Sequence, residues 1–437
     1  MTMNLEEKLR QLKQAAKTSG RDAELERQLE YLRRLERPPK KLPAQRAPKG
    51  IEEYVDGEVQ KNVWGEFFLA RQALPFGRPY GKLRIGDLAA ADLSPLNLLL
   101  ESTALPDSAQ LVYLDTETTG LAGGTGTCAF LTGIGAVEGS QFVVRQFFLR
   151  DYPDEKAALV ALAEALQEFQ GVVTFNGKTF DIPLLETRYA LARLKSPFTR
   201  LVHLDALHPA RRLWRLRLES CKLADLESAV LGIARAGDVP GSEIPEIYFD
   251  YLRTESAQGL QPVFYHNALD VVTLAALVVE LARILGDAEH RTLTSSLDLF
   301  SLSRMLERAR ATERSVATCQ QALAKGLPEC IEAQALWQLA AQHKRQRQYD
   351  LAVELWNELA RREAPFAIQA LEELAIYYEH RRRDAATALE FTTVALERLR
   401  ESSAPRSHFE RFAQRLERLR KKSARGTAPL NARLAGE

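Results

Sequence analysis

The stretch Leu111-Val112-Tyr113-Leu114-Asp115-Thr116-Glu117-Thr118-Thr119-Gly120 decides how this chain reads. Its first four residues are apolar, with one β-branched and one aromatic among them, which is the composition of a short buried strand. Gly120 punctuates the end. Side chains two apart on a strand share a face, so Asp115 and Glu117 project together. Two neighbouring carboxylates repel unless something positive lies between them, and a hard divalent cation such as Mg²⁺ or Mn²⁺ is the usual partner. A pair of solvated acids at a strand end is the ordinary alternative. Two further acids placed downstream favour the cation.

The first of these is Asp181, in Gly171-Val172-Val173-Thr174-Phe175-Asn176-Gly177-Lys178-Thr179-Phe180-Asp181. Val172 to Phe175 reads as a strand, Asn176-Gly177 as a turn, and Lys178 onward as a helix. An acid in the first turn of a helix is favoured by the helix dipole with or without a metal, so both readings stay open for Asp181 alone. The second is Asp270, in Tyr265-His266-Asn267-Ala268-Leu269-Asp270, which opens the apolar helix Val271 to Ile284. His266 lies one helical turn before Asp270 and shares its face, which makes it a candidate general base.

The order Asp-x-Glu, Asn-Gly-x3-Asp, then an aromatic or histidine before Asp resembles the DEDD superfamily of two-metal 3′–5′ exonucleases. Within it, the chain resembles the YprB-type ribonuclease-H-like family. The resemblance rests on Thr118 to Thr127, Phe130-Leu131-Thr132-Gly133, Phe175-Asn176-Gly177-Lys178, His203 to Trp214, Leu231-Gly232-Ile233, Asp238-Val239-Pro240-Gly241 and His266-Asn267. It covers roughly residues 50 to 285. In one respect the chain departs from the superfamily, whose members carry a tyrosine four residues, or a histidine five residues, before the last aspartate. Here His266 stands at minus four and Tyr265 at minus five. Helical geometry favours His266.

The resemblance implies an α/β fold, a ribonuclease-H-like mixed sheet flanked by helices. It also implies hydrolysis of phosphodiester bonds in DNA or RNA. Two metal ions about 3.5–4 Å apart would stabilise the attacking and leaving oxygens. Asp115, Glu117, Asp181 and Asp270 would hold two Mg²⁺ or Mn²⁺ ions, with Asp115 bridging, and His266 would orient or deprotonate the attacking water. Thr118, Asn176 and Lys178 are candidate substrate contacts, although loop residues of these types also serve as turn-formers. Asp205, after Leu201-Val202-His203-Leu204, reads as an outer acid, a helix N-cap or a strand-end residue. The glycine-rich loop at 120–126 lacks a Gly-Lys-Ser/Thr ending and is not a phosphate loop.

Composition is that of an ordinary globular chain: 437 residues, 46% hydrophobic, 27% charged, net charge +1. Attraction for a nucleic acid must therefore be local. The local patch is Arg211, Arg212, Arg215, Arg217 and Lys222, with Trp214 among them. It reads either as charge plus stacking for a single-stranded end or as a solvated face over a buried Trp214. Cys128, Cys221, Cys319 and Cys330 have neither metal-site nor disulfide-framework spacing. No secretory signal or membrane-length apolar run is visible, so a cytoplasmic location is expected.

Three parts are expected. Residues 1–49 hold an amphipathic helical segment and a basic, proline-rich linker. Residues 50–285 hold the exonuclease domain, with the strand pair Cys128–Val137 and Gln141–Phe148 joined at Glu138-Gly139-Ser140 and a helix from Pro153 to Gln170. Residues 290–425 are all helix. There, Leu336-Trp337-Gln338-Leu339-Ala340 matches Leu371-Glu372-Glu373-Leu374-Ala375 at an offset of 35, and Asp350 matches Asp384 at an offset of 34. That is the tetratricopeptide period, which suggests a concave surface for a protein partner or a buttress for the catalytic domain. A rival reading makes the whole chain a nucleic-acid-binding scaffold with a weak or inactive nuclease site, its repeats recruiting the partner.

Overall fold

The computed structural model describes residues 50–100, 104–120, 126–287, 293–362, 365–401 and 406–426. The expected helical segment and linker at 1–49, and most of the glycine-rich loop at 120–126, lie outside the described residues.

The strands are β1 (Gly57–Asn62), β2 (Gly65–Pro75), β3 (Pro79–Tyr80), β4 (Leu83–Arg84), β5 (Leu111–Thr118), β6 (Ala129–Glu138), β7 (Gln141–Phe148), β8 (Gly171–Thr174) and β9 (Val202–Asp205). Seven of them form one mixed sheet in the order β1-β2-β7-β6-β5-β8-β9. The pairs from β1 to β5 are antiparallel, and β5-β8 and β8-β9 are parallel. The hairpin expected at Glu138-Gly139-Ser140 is present. Glu138 pairs with Gln141, and Gly139 takes φ +58, which a two-residue hairpin turn demands. The β1–β2 hairpin that widens the sheet beyond β7 has no counterpart in the sequence reading.

Alternation along β5 separates two cores. Leu111 and Tyr113 face one layer, while Val112 and Leu114 face the other. The second layer is built by α1 (Glu155–Ala165) and α2 (Asp181–Leu191), whose Ala158, Leu159, Leu162, Ile182 and Leu185 pack under the sheet. The expected helix from Pro153 to Gln170 is thus shorter, followed by a 3₁₀ turn at Leu166–Glu168. Beyond β9 come α3 (Leu207–Trp214), α4 (Ile244–Thr254) and α5 (Gln261–Gly286).

Helix α5 is buried on nearly every side from Val271 to Leu285. A helix apolar all round must lie inside a core. One face crosses β6, where Gly133 and Gly135 leave the space. A Cβ on Gly133 would sit 2.1 Å from the Asn267 side chain, and one on Gly135 would sit 2.4 Å from Val271. The other face is covered by the turns Ser94–Leu99 and Glu227–Leu231 and the short helices Asp87–Ala90 and Leu223–Leu226. The all-helical remainder is α6 (Ser296–Arg308), α7 (Thr312–Ala324), α8 (Glu329–Arg345), α9 (Tyr349–Arg361), α10 (Ala367–Tyr377), α11 (Ala385–Glu401) and α12 (Arg406–Gly426), and it docks through α6 onto α3. One continuous apolar cluster joins Tyr113, Trp214 and Leu274 to Phe300, Met305, Cys319 and Leu339. A second cluster, around Trp356, Leu371 and Leu396, holds α8 to α12 together. The last helix runs on to Gly426. Among the described residues, no helix is long and apolar enough to cross a membrane.

Candidate active site

Four carboxylates converge at the end of β5. Asp115 and Glu117 project toward α5, continuing the row of Leu111 and Tyr113. Asp270 comes down from α5. Asp181 opens α2 on the other side of the strand, where Thr116 donates a hydrogen bond to it (2.5 Å). Their proximity is felt electrostatically. Burial, then Asp270, Glu117 and Asp181, hold Asp115 well above the usual carboxylate range. Burial and the charges of Asp270 and Asp181 push Glu117 up to about 8. Burial pushes Asp181 up to about 6, against the Thr116 bond. Asp270 is also raised by burial, although Arg235 and His266 pull it down.

A row of side chains fixes the first of these acids. Asp115, Gly133 and Gln146 are neighbours across β5, β6 and β7. Asn267, fully buried on α5, fits over Gly133. Its amide donates to the Asp115 carboxylate (3.0 Å) and its carbonyl accepts from Gln146 (2.9 Å). Leaving either buried partner unpaired would cost about 1–3 kcal/mol.

His266 stands where its helical spacing from Asp270 places it. Nε2 lies 3.5 Å from Asp270, and Nδ1 lies 2.8 Å from Asp238. The carboxylate of Asp238 is kept below its ordinary range, because Arg235 and His266 outweigh its burial. Tyr265 is 45% exposed.

Arg235, Asp238 and Glu227 were not singled out as site residues. Arg235 forms ion pairs with Asp270, Glu227 and Asp238 (3.0 Å to Asp238). Glu227, completely buried in a turn of π-helix at Glu227–Leu231, also accepts from Tyr80 and Thr273 (both 2.9 Å). Asp238 belongs to the Asp-Val-Pro-Gly motif, the one available pointer. Nothing marks Arg235 in a coil segment, because the partner that ties it to the site, Asp270, is 35 residues away.

The loop after β8 borders this group. Asn176 adopts φ +70, a conformation asparagine tolerates better than most residues. Asp205 fastens the loop. It accepts from the backbone N–H groups of Asn176 (2.8 Å), Lys178 (3.0 Å) and Leu207 (3.0 Å), which makes it a brace and cap. Asp115, Asn176, Arg211, Arg215, Lys222 and Asp270 line one cavity of about 770 Å³. Lys178 and Arg212 line the neighbouring one. Trp214 is buried, which removes the stacking reading, and Arg217 pairs with Asp298 (2.7 Å). The Thr118 hydroxyl is turned to the Gly120 carbonyl (3.0 Å).

An all-oxygen set of four acids that repel one another has the chemistry that suits Mg²⁺ or Mn²⁺. Among the described residues, however, no three His, Cys, Asp or Glu side chains are drawn together as a ready metal cage. Asp270 is turned to Arg235 and Asp181 to Thr116.

Comparison with known proteins agrees with this architecture. A family model described as the RNase_H superfamily matches residues 112–282, the span from β5 to the end of α5. The "Uncharacterized protein YprB" of Bacillus subtilis (strain 168) is 30% identical over 288 residues, covering 65% of this chain and 69% of that protein. A central sheet whose acids come from the end of β5, the start of α2 and the first half of α5, with these two matches, places the chain in the YprB family of the ribonuclease H superfamily.

Proposed function

We propose that this protein is a metal-dependent nuclease, acting as a 3′–5′ exonuclease on a single-stranded end of DNA or RNA. The observation that carries the reading is the convergence of Asp115, Glu117, Asp181 and Asp270 beside a cavity lined by Arg211, Arg215 and Lys222. Asp115, Glu117, Asp181 and Asp270 would hold two divalent ions, Mg²⁺ or Mn²⁺. When bound, those ions supply charge stabilisation for the attacking and leaving oxygens.

The remaining roles belong to side chains. Asp238 accepts from Nδ1 of His266 and so fixes the ring with Nε2 free to accept a proton from water. That tautomer is assigned from the hydrogen bond. The water oxygen attacks phosphorus and its proton passes to Nε2; the bond from phosphorus to the leaving oxygen breaks, and that oxygen keeps the electron pair and takes a proton from solvent. Arg211, Arg215 and Lys222 attract the phosphates, and Asn176 reaches the same cavity. The helices from Ser296 onward form a tetratricopeptide-like unit that binds a protein partner or buttresses the catalytic domain. We place the enzyme in the cytoplasm.

One observation favours the rival role as a nucleic-acid-binding scaffold: Arg235 already neutralises Asp270. A single assay separates the two. End-labelled single- and double-stranded DNA and RNA are incubated with Mn²⁺, with Mg²⁺ and with EDTA. Metal-dependent shortening from the 3′ end, lost in Asp115→Asn, supports the exonuclease. Internal products would make it an endonuclease, and binding without cleavage in either metal would make it a scaffold.

A further inference from the structure

A second cavity, of about 700 Å³, lies on the other side of α3. Lys178, Arg200, His203, His208 and Arg212 line it, and it contains none of the four converging carboxylates. Asp205 is the one acid in its wall, and both of its oxygens are bonded to backbone N–H groups. Arg200 is spent on the main-chain carbonyls of Phe169 (2.7 Å) and Leu166. The side chains of Lys178, His208 and Arg212 are exposed and carry no ion pair or hydrogen bond among the described residues. The charges of Lys178 and Arg212 are therefore available.

Helix α3 joins this cavity to the first. His208 and Arg212 are one turn apart and face the second cavity, while Arg211 and Arg215 are one turn apart and face the first. The two rows run side by side along one short helix, each with a rise of about 6 Å between its members. The loop Phe175–Lys178 is shared as well: Asn176 borders the first cavity and Lys178 the second, and Asp205 holds both in place. The floor offers Leu99, Leu201, Leu204 and Pro209, apolar surface for base and sugar faces. A recess of this size is within the roughly 300–1,000 Å³ that admits a compact ligand, too small for a paired duplex.

We propose that this cavity between β9 and α3 is a second subsite on the same nucleic-acid path, taking the nucleotides one step behind the reacting end of a single strand. The inference rests on the nuclease reading above. A peptide adding to the free edge of β9 would meet Lys178, Arg200 and Arg212 against the single, already bonded acid Asp205, a surplus of positive charge that suits a polyanion better.

The test uses full-length Asp115→Asn protein in EDTA, so that nothing is cut, and fluorescence anisotropy with labelled oligo-dT and oligo-U of about two and about ten nucleotides. The long strands should bind more tightly than the short ones. Adding Lys178→Ala with Arg212→Ala should cost the long strand at least tenfold more affinity than the short one. It should also flatten the log–log salt slope by about 1.4, at roughly 0.7 per lost phosphate contact. Arg211→Ala with Arg215→Ala should weaken both lengths alike. A photoreactive base a few nucleotides from the 3′ end should crosslink to the peptide spanning Thr199–Arg212. Equal losses on both lengths, or crosslinks confined to Ser296–Gly426, would overturn the subsite while leaving the nuclease reading intact. Failure of every strand to bind would remove both.

Discussion

Raising the pH should weaken the metal-free protein, and the converging carboxylates set the size of the effect. Burial and mutual repulsion push Glu117 up to about 8 and hold Asp115 well above its usual range. A group whose pKa is higher in the folded chain binds more protons there, so stability is full below the unfolded pKa and is lost as pH rises towards the folded one. Asp181 and Asp298, both raised to about 6 chiefly by burial, exhaust their contributions at lower pH. His203, pushed down to about 4 by burial and Lys178, works in the opposite sense, and its gain is complete near its ordinary value of 6.5. Between about pH 6.5 and 8, Glu117 remains in play, while Asp115, Asp270 and Glu280 are raised in the same direction. One unit of pKa shift corresponds to about 1.36 kcal/mol, so one and a half pH units on Glu117 amount to about 2 kcal/mol. Water still reaches Glu117, which screens the effect to roughly 1–2 kcal/mol, and Asp115 adds in the same direction. Urea denaturation followed by circular dichroism, in EDTA across this range, reads the loss directly. Mn²⁺ should stabilise the protein most at pH 8, because a cation favours the ionised acids. A metal-free stability that stays flat or rises over the interval would refute the electrostatic argument.

Three further outcomes are expected. His266→Ala should lower turnover roughly 10²–10⁴-fold with Mn²⁺ binding retained, while Tyr265→Phe stays close to wild type; the reverse ranking would move the proton acceptor to Tyr265. Gly133→Ala should destabilise by about 1–3 kcal/mol, measured by thermal or urea melting, because its Cβ collides with buried Asn267, and an unchanged melt would contradict that packing. Cutting the chain after Gly286 should yield a protein that melts earlier and binds an apolar dye. The cut strips α6 and α7 from the cluster shared with Trp214 and Leu274 and leaves Arg217 without Asp298. A truncation as stable as the full chain would show that the helical remainder is separable.

What the sequence disclosed was whatever depends on short range. The β5 strand, the shared face of Asp115 and Glu117, the β6–β7 hairpin and the His266–Asp270 turn all follow from periods of two or four residues. Asp181 was undecided from its helix position alone and became legible through company, since only the fold brings Thr116 and Asp115 to it. Arg235 and Glu227 stayed hidden, and Asp238 showed only as part of a motif, because a coil arginine bonded to a π-turn and to a helix across the core leaves no local period. Trp214 was undecided as well. Flanked by arginines, it read either as a stacking ring or as a buried one, and its neighbours Leu213 and Ala210 turn that side of α3 into the core.

Where α5 falls in the chain carries a consequence for how the protein is made. Asp115, Glu117 and Asp181 are synthesised first, and Asp270, His266 and Asn267 arrive with α5 about a hundred residues after Asp181. At translation rates of about 5–20 residues per second, that separates the two halves of the site by roughly 5–20 seconds. During that interval the emerging sheet has its acids but neither the imidazole nor the amide that steadies Asp115. Until then the four acids are not together, and Asp115 lacks the buried partner that fixes its carboxylate. The site becomes whole only when α5 settles over Gly133, late enough that the protein has left most of its synthesis behind.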